Sequence, residues 1–456
     1  MHFSLKRAKE LYHDVKWKRI NPAQTLALGF FFLIIIGTLL LMLPFATKDR
    51  HHLDFIDALF EATSAICVTG LIVVDTETTF TLFGQIVLMI LIQIGGLGFM
   101  SLGILIALFL GKNIGLKRRL LIQESWNLLS IGGIIKVVKF VFRFTIIIEG
   151  IGAIILAIRW GGEYGFPLSI YYGIFHSISA FNNAGFDLMG HFQSVTKYAG
   201  DFTIILTLSS LLIIGGIGYT VFLDVVKKKS IKKLSLHSKI VLLTTLILNV
   251  LGTLLIFTLE YHNPGTIGDY SLKDKILSSY FQAVVPRTAG FNAVNMSELT
   301  LSSQFITIIL MFIGGGSGGT AGGIKVTTFA IILLAVWNHI RGHSDVNIME
   351  RRIPKDLIYK AFTITVYSVS IVLLILFILT LTEKAPMNVL LFEVVSAFGT
   401  VGISLGLTPE LSDVGKVVIS ILMFMGRVGP LTIAFALAKA NNTQPYKYPE
   451  ERIMLG

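Results

Sequence analysis

The sequence predicts an all-α polytopic membrane protein with eight spanning helices. Three observations carry that reading: long apolar runs, scarce charge, and basic residues gathered into alternate connections. Hydrophobic residues make up 54% of the 456-residue chain and charged residues 14%, with a mean hydropathy of +0.76. A soluble globule of this size has too little interior for so much apolar surface, so a bilayer must be its solvent.

In chain order the spans are expected at 25–43, 82–110, 144–158, 202–223, 240–259, 305–337, 363–381 and 417–438. Most approach or exceed the roughly 20 residues a spanning helix needs. A basic amphipathic stretch at 6–19 precedes the first, and no small-residue cleavage site follows it, so it reads as an anchor and not as a removable signal. The single cysteine, Cys67, excludes an intrachain disulfide and a thiolate metal centre.

The net charge of +11 is segregated by segment and does not form one basic face, which argues against nucleic acid and for membrane orientation. Lysine and arginine cluster within 6–19, 112–143, 227–239 and 341–360, after every second span. The other connections hold acids such as Asp75, Asp187 and Glu298. Both termini are therefore expected in the cytoplasm, in a multi-pass protein of the cell membrane. The run Lys227 to Lys239 is read as ordinary positive-inside bias, or as a contact for anionic lipid or a docking partner.

Each outward connection contains a shorter apolar stretch of about 10–14 residues, the length of a re-entrant segment. Aligned on a glycine they read LFEATSAICVTGL (59–71), IFHSISAFNNAGF (174–186), SYFQAVVPRTAGF (279–291) and LFEVVSAFGTVGI (391–403). The glycines are Gly70, Gly185, Gly290 and Gly402, and ten residues before each stands an aromatic, Phe60, Phe175, Tyr280 or Phe392. Ser64, Ser179 and Ser396 recur six positions upstream, where the third unit has Val284. Four copies of one unit at nearly constant spacing predict four helix–pore-loop–helix repeats, adding four re-entrant pore helices to the eight spans around a central pore. The expected organisation is a cytoplasmic N-terminal segment 1–20, repeats at 21–112, 113–226, 227–340 and 341–440, and a cytoplasmic tail 441–456.

Such an array suits a cation. An ion entering a membrane exchanges its hydration shell for oxygens of comparable field, which backbone carbonyls supply without a buried fixed charge. Extended backbone at that depth is tolerated only beside a water-filled cavity, and glycine reaches the positive φ that turns neighbouring carbonyls to one axis. Each short helix also points its negative dipole end at the pathway. A lone glycine would more often pack helices; four in register argue otherwise. Gly95, Gly96, Gly98, Gly215, Gly216 and Gly218 are assigned to helix packing, with pore lining as the second reading.

The TAGF unit after Arg287, the NAGF unit before Asp187 and the paired IGGxGx helices resemble the Trk/Ktr/HKT family of potassium transporters. The resemblance covers nearly the whole chain and fits the bacterial Ktr membrane subunits best. It implies a potassium-conducting membrane subunit of a K+ uptake system with no cofactor of its own, K+ as transported ion and Na+ as a modulator. The implied ion-binding filter comprises Val68, Thr69 and Gly70; Asn183, Ala184 and Gly185; Thr288, Ala289 and Gly290; and Thr400, Val401 and Gly402. Implied partners are a second copy in a homodimer, with one pore in each protomer, and a cytosolic ring of nucleotide-binding regulatory subunits of RCK/KTN type.

In the sixth run, Gly314, Gly315, Gly316, Ser317, Gly318, Gly319, Thr320, Ala321, Gly322 and Gly323 make a continuous helix untenable, at about 1 kcal/mol per interior glycine relative to alanine. The resemblance implies that this interruption is an intramembrane gating loop, with Lys325 and Arg427 as its charged residues. Intramembrane charges are functional candidates by default; for Arg427 a structural bridge to a glutamate or to backbone stands beside the gate reading. Glu61, His176 and Glu393 on the pore helices either tune the vestibule field or make structural contacts. Asp75 and Asp187, just past filter glycines, are placed to concentrate cations. The rival reading is a Na+-coupled secondary cation transporter, which predicts buried carboxylate pairs and inverted repeats where this chain has same-sense ones. No HExxH pattern or nucleophile–base pair in the spans speaks for an enzyme.

Overall fold

The computed structural model describes residues 22–98, 101, 105, 134–343, 345–429, 449, 451 and 454. The expected segment 1–20, the basic stretch 112–119, the ends of the runs 82–110 and 417–438 and nearly all of the tail lie outside the described residues. The described chain is helical apart from its connections and one small hairpin, in which Asn347–Ile348 pairs antiparallel with Arg351–Arg352. The two residues between them, Met349 and Glu350, have φ of 48° and 62°, the handedness that tight hairpin turns need.

Four groups of helices follow in order. The first holds α1 (Pro22–Leu41), α2 (Phe55–Cys67) and α3 (Leu82–Leu97). The second holds α4 (Ile134–Tyr164), α5 (Phe166–Phe181), α6 (Phe202–Ile217) and α7 (Tyr219–Lys228). The third holds α8 (Leu236–Glu260), α9 (Leu272–Val284), α10 (Leu301–Phe312) and α11 (Val326–Ile340). The fourth holds α12 (Lys355–Thr382), α13 (Met387–Gly399) and α14 (Asp413–Val428). The four re-entrant stretches expected from sequence correspond to α2, α5, α9 and α13.

Local chemistry repeats along with the helices. α3, α6, α10 and α14, which follow the loops, each begin at a side-chain cap: Thr81, Asp201, Thr300 and Ser412 accept first-turn backbone N–H groups. Each of these helices then packs against the short helix of the next group, α3 on α5, α6 on α9, α10 on α13 and α14 on α2. The last contact closes the cycle, and the Lys416–Asp57 ion pair at 2.6 Å fastens it.

By length and composition, four helices among the described residues can cross a bilayer: Gln24–Leu41, Ile135–Tyr164, Leu236–Glu260 and Lys355–Thr382. Only 33% of the apolar window in each is buried. Their outer faces carry side chains such as Phe31, Phe32, Ile154, Leu246 and Phe377, which only hydrocarbon solvates well.

The run 202–223, expected as one span, is two helices that meet at 95°. Gly218 makes the corner at φ 103°. A Cβ there would stand 2.5 Å from the Ser317 carbonyl oxygen, and the Tyr219 N–H released by the bend donates to Gly318 O at 3.0 Å. The glycine-rich interruption in the sixth run is present as expected, between α10 and α11.

Candidate functional site

The short helices α2, α5, α9 and α13 end in a similar way. The Thr69, Ala184 and Val401 N–H groups reach back five residues to the Ser64, Ser179 and Ser396 carbonyls, each at 2.8 Å; in the third repeat Ala289 N–H reaches Val285 O at 3.0 Å. The residue before each of these is left-handed: Val68, Asn183, Thr288 and Thr400 have φ of 57°, 59°, 72° and 50°. Glycine or asparagine is the usual choice there. Val68, Thr288 and Thr400 are β-branched, at a strain of about 1–3 kcal/mol each, the kind of strain that concentrates at functional sites.

The predicted filter glycines then take positive φ as well: 94° at Gly70, 72° at Gly185, 76° at Gly290 and 89° at Gly402. Left-handed conformations two residues apart turn carbonyls toward one side, where a regular strand would alternate them. The four glycines come together in a ring. A Cβ on Gly70 would overlap the Ala184 carbonyl and lie 3.2 Å from Gly185 Cα; one on Gly185 would overlap Gly290 Cα. One on Gly290 would lie 3.1 Å from Val401 O, and one on Gly402 2.8 Å from Gly70 Cα. No side chain fits on this inner surface.

The recurring serines find their reason here. Ser64 and Ser396 hydroxyls accept the Gly70 and Gly402 N–H at 3.1 and 3.2 Å, and the Ser179 hydroxyl donates to Phe186 O at 2.6 Å. Val284 supplies no such bond in the third repeat. The Thr288 and Thr400 hydroxyls are buried without a protein partner among the described residues, whereas the Asn183 amide donates to Leu212 O at 3.3 Å.

Beneath the ring lies the segment Gly314 to Gly323. Gly314 N–H donates to Ile324 O at 2.8 Å and Gly316 N–H to Gly216 O at 2.7 Å, so the loop is stitched to its own far end and to α6. The Thr320 hydroxyl donates to Asn183 Oδ1 at 2.6 Å, and a Cβ on Gly322 would overlap the Thr400 hydroxyl. Arg427 donates to Thr320 O, and to the Gly95 and Gly96 carbonyls at the end of α3. Lys325 Nζ donates to Ala321 O at 2.6 Å within the loop. Of the partners expected for Arg427, a glutamate or backbone, the structure has backbone. Gly95 and Gly215 do pack closely, since a Cβ on either would overlap the carbonyl of Ile66 or Phe181 at the end of α2 or α5. The Gly215 and Gly216 carbonyls also receive hydrogen bonds from the loop.

Asp75 and Asp187 hold loops together. Asp75 accepts from Thr78 N–H and from Phe192 N–H, both at 2.8 Å. Asp187 Oδ1 accepts Met189 N–H at 2.9 Å. Burial, reinforced by the Asp75 charge, pushes the Asp187 carboxyl up to about 6.

Sequence reasoning missed one cluster behind the second repeat. Asn182 Nδ2 lies 3.0 Å from Glu149 Oε1 and 2.9 Å from Gln93 Oε1, and Gln93 Nε2 donates to Glu149 Oε2 at 3.3 Å. The available signal was an acid inside the apolar run 144–158.

The arrangement has counterparts. Residues 5–445 match the family model described as TrkH, cation transport protein. The chain is 50% identical to the Ktr system potassium uptake protein B of Bacillus subtilis, over 97% of this chain and 98% of that protein. It is 39% identical to the potassium/sodium uptake protein NtpJ of Enterococcus hirae, over 96% and 98%. Its fold matches the crystal structure of the potassium transporter TrkH from Vibrio parahaemolyticus with a TM-score of 0.73 at 20% identity, covering 93% of this chain and 86% of that one. These relatives are transporters, and a match running through all four glycine repeats leaves one conclusion: the chain belongs to the TrkH family of membrane cation transport proteins.

Proposed function

We propose that this chain is the potassium-conducting membrane subunit of a K+ uptake system. K+ passes through the ring at Gly70, Gly185, Gly290 and Gly402, stripped of water by the carbonyls of the twelve filter residues. The observation that carries this reading is the repeated pairing of a left-handed residue with a positive-φ glycine in all four repeats, which aims uncharged oxygens at one axis. The Thr288 and Thr400 hydroxyls supply further oxygens. The segment Gly314 to Gly323 acts as the gate, held shut by Arg427 and Lys325, whose charges oppose cations beneath the ring.

The eight-crossing topology with four re-entrant helices, both termini in the cytoplasm, the repeat boundaries, a homodimer and control by a cytosolic nucleotide-binding ring belong to the same proposal. The names of the Ktr relatives support a multi-component system. The potassium/sodium relative favours a second reading, a Na+-coupled transporter on the same scaffold.

The test is K+ and Na+ flux through the purified chain in liposomes, with and without an imposed potential, for wild type and Gly70→Ser. Potential-driven, K+-preferring flux that loses its preference in the variant supports the filter. Identical selectivity in both would reduce the glycines to packing positions, and Na+-dependent K+ uptake against its gradient would select the coupled transporter.

A further inference from the structure

Nine residues before three of the four ring glycines stands a buried polar side chain on the pore helix, Glu61, His176 or Glu393. Each reaches across to the chain that leaves the ring. Glu61 Oε1 accepts Val73 N–H at 2.8 Å and Val74 N–H at 3.2 Å. His176 Nε2 accepts Leu188 N–H at 3.2 Å. Glu393 accepts the Ser404 hydroxyl at 2.7 Å and the Thr408 hydroxyl at 2.5 Å. Val73 and Leu188 occupy one register, three residues past their glycines. The third repeat has Phe281 at the equivalent position, and the neighbouring Gln282 donates instead to Met296 Sδ at 2.9 Å. A link between pore helix and exit strand is thus kept in every repeat while the residue making it changes.

Resting on the filter reading above, we propose that Glu61, His176 and Glu393 are positioning residues for ion specificity. Ser64 and Ser396 fix Gly70 and Gly402 from the inner end, Ser179 fixes Phe186 just after Gly185, and Glu61, His176 and Glu393 fix the exit strand from above. A ring anchored at both ends resists the contraction that a smaller, more strongly field-seeking cation such as Na+ demands of its carbonyls. The His176 bonds show that an acceptor is what the position requires. Nδ1 lies 2.7 Å from Tyr172 O and must donate to it, which leaves Nε2 with its lone pair for Leu188. The imidazole also stacks on Phe291, the residue after Gly290, at 6.4 Å between centroids, so the second repeat's brace supports the third repeat's strand.

The experiment measures the K+/Na+ flux ratio of the full chain in liposomes for His176→Leu and His176→Gln, and for Glu61→Leu and Glu61→Gln. Leucine removes the acceptor and leaves a buried N–H unpaired, while a glutamine oxygen can take over that bond. The leucine variants are expected to lose K+ preference by about tenfold, on the scale of one buried donor left unpaired, and glutamine to restore most of it. Lower total flux with an unchanged ratio in the leucine variants would overturn the proposal, leaving a purely structural role. Should these variants fail to reach the membrane, Glu61→Asp withdraws the oxygen from Val73 while keeping the carboxyl group, and an unchanged ratio there is equally fatal. Gly70→Ser is run alongside: if it loses preference while the leucine variants keep theirs, the braces are refuted and the filter stands. If Gly70→Ser itself is unaltered, the filter reading fails first.

Discussion

The Arg427 guanidinium is hydrogen-bonded to the backbone carbonyl of Thr320. Through its other nitrogen it also holds the Gly95 and Gly96 carbonyls, so one side chain of the fourth repeat ties a loop of the third to a helix end of the first. Replacing it with glutamine removes the charge and shortens the reach. Arg427→Gln is expected to raise K+ flux about tenfold by loosening the loop, the scale of one or two charge-assisted hydrogen bonds. Flux measured in liposomes checks this, and unchanged or lower flux would remove Arg427 from the gate.

Thr320 meets the ring itself through Asn183. In Thr320→Val the shape is kept and the hydroxyl lost, leaving Asn183 Oδ1 without this donor at a penalty of about 1–3 kcal/mol. Because the bond joins the loop to the glycine ring, the proposed gate predicts that the variant will both unfold at a lower temperature and conduct more. Thermal unfolding in detergent and flux should move together; a stability loss with no rise in flux would separate the contact from gating.

Gly95 and Gly215 leave no room for a methyl group against the Ile66 and Phe181 carbonyls. Gly95→Ala and Gly215→Ala should each destabilise by about 2 kcal/mol or more, through overpacking against backbone. Gly150 is the comparison. It lies inside α4 with nothing within 4 Å of a built Cβ, so Gly150→Ala should stabilise by about 0.5–1 kcal/mol through helix propensity. Similar melting temperatures for all three would contradict the packing described.

Asp187 carries a carboxyl raised to about 6 by burial and by Asp75. It is charged at neutral pH, and its charge is lost as pH falls through that value. Since only the ionised form attracts cations to the mouth, K+ influx at low external K+ should decline as external pH drops below about 6. Asp187→Asn should show a low, flatter profile, and the difference should vanish at saturating K+. A wild-type profile that does not bend near this value would exclude the electrostatic role.

How much of this was legible depended on range. The four short helices and the glycines that follow them could be read because each unit is local, with an aromatic and a glycine at a fixed offset and a serine between them in three of the four, and the break at Gly314 to Gly323 because ten residues rich in glycine cannot stay helical in lipid. The 95° corner at Gly218 was hidden, since hydropathy continues across it and the partner that stabilises the bend, Gly318, lies a hundred residues on. Arg427 was identifiable as an intramembrane charge, but three carbonyls from two distant segments leave no trace in composition. The contact between Glu149 and Asn182 was hidden for the same reason.

The ring is drawn from a single polypeptide, with its fourth quadrant seated against its first by α14 on α2 and by Lys416 on Asp57. Symmetry is therefore approximate by construction, and every quadrant is free to diverge. A change at Gly70 enters the ring once, against its neighbour at Ala184 and Gly185, whereas in an assembly of four identical chains the same change would be imposed four times over. The glutamate, histidine, phenylalanine and glutamate standing nine residues before the four glycines already differ from quadrant to quadrant. The seam also gives biosynthesis a fixed last act, because no closed ring exists until the final quarter of the chain has entered the membrane and met the first.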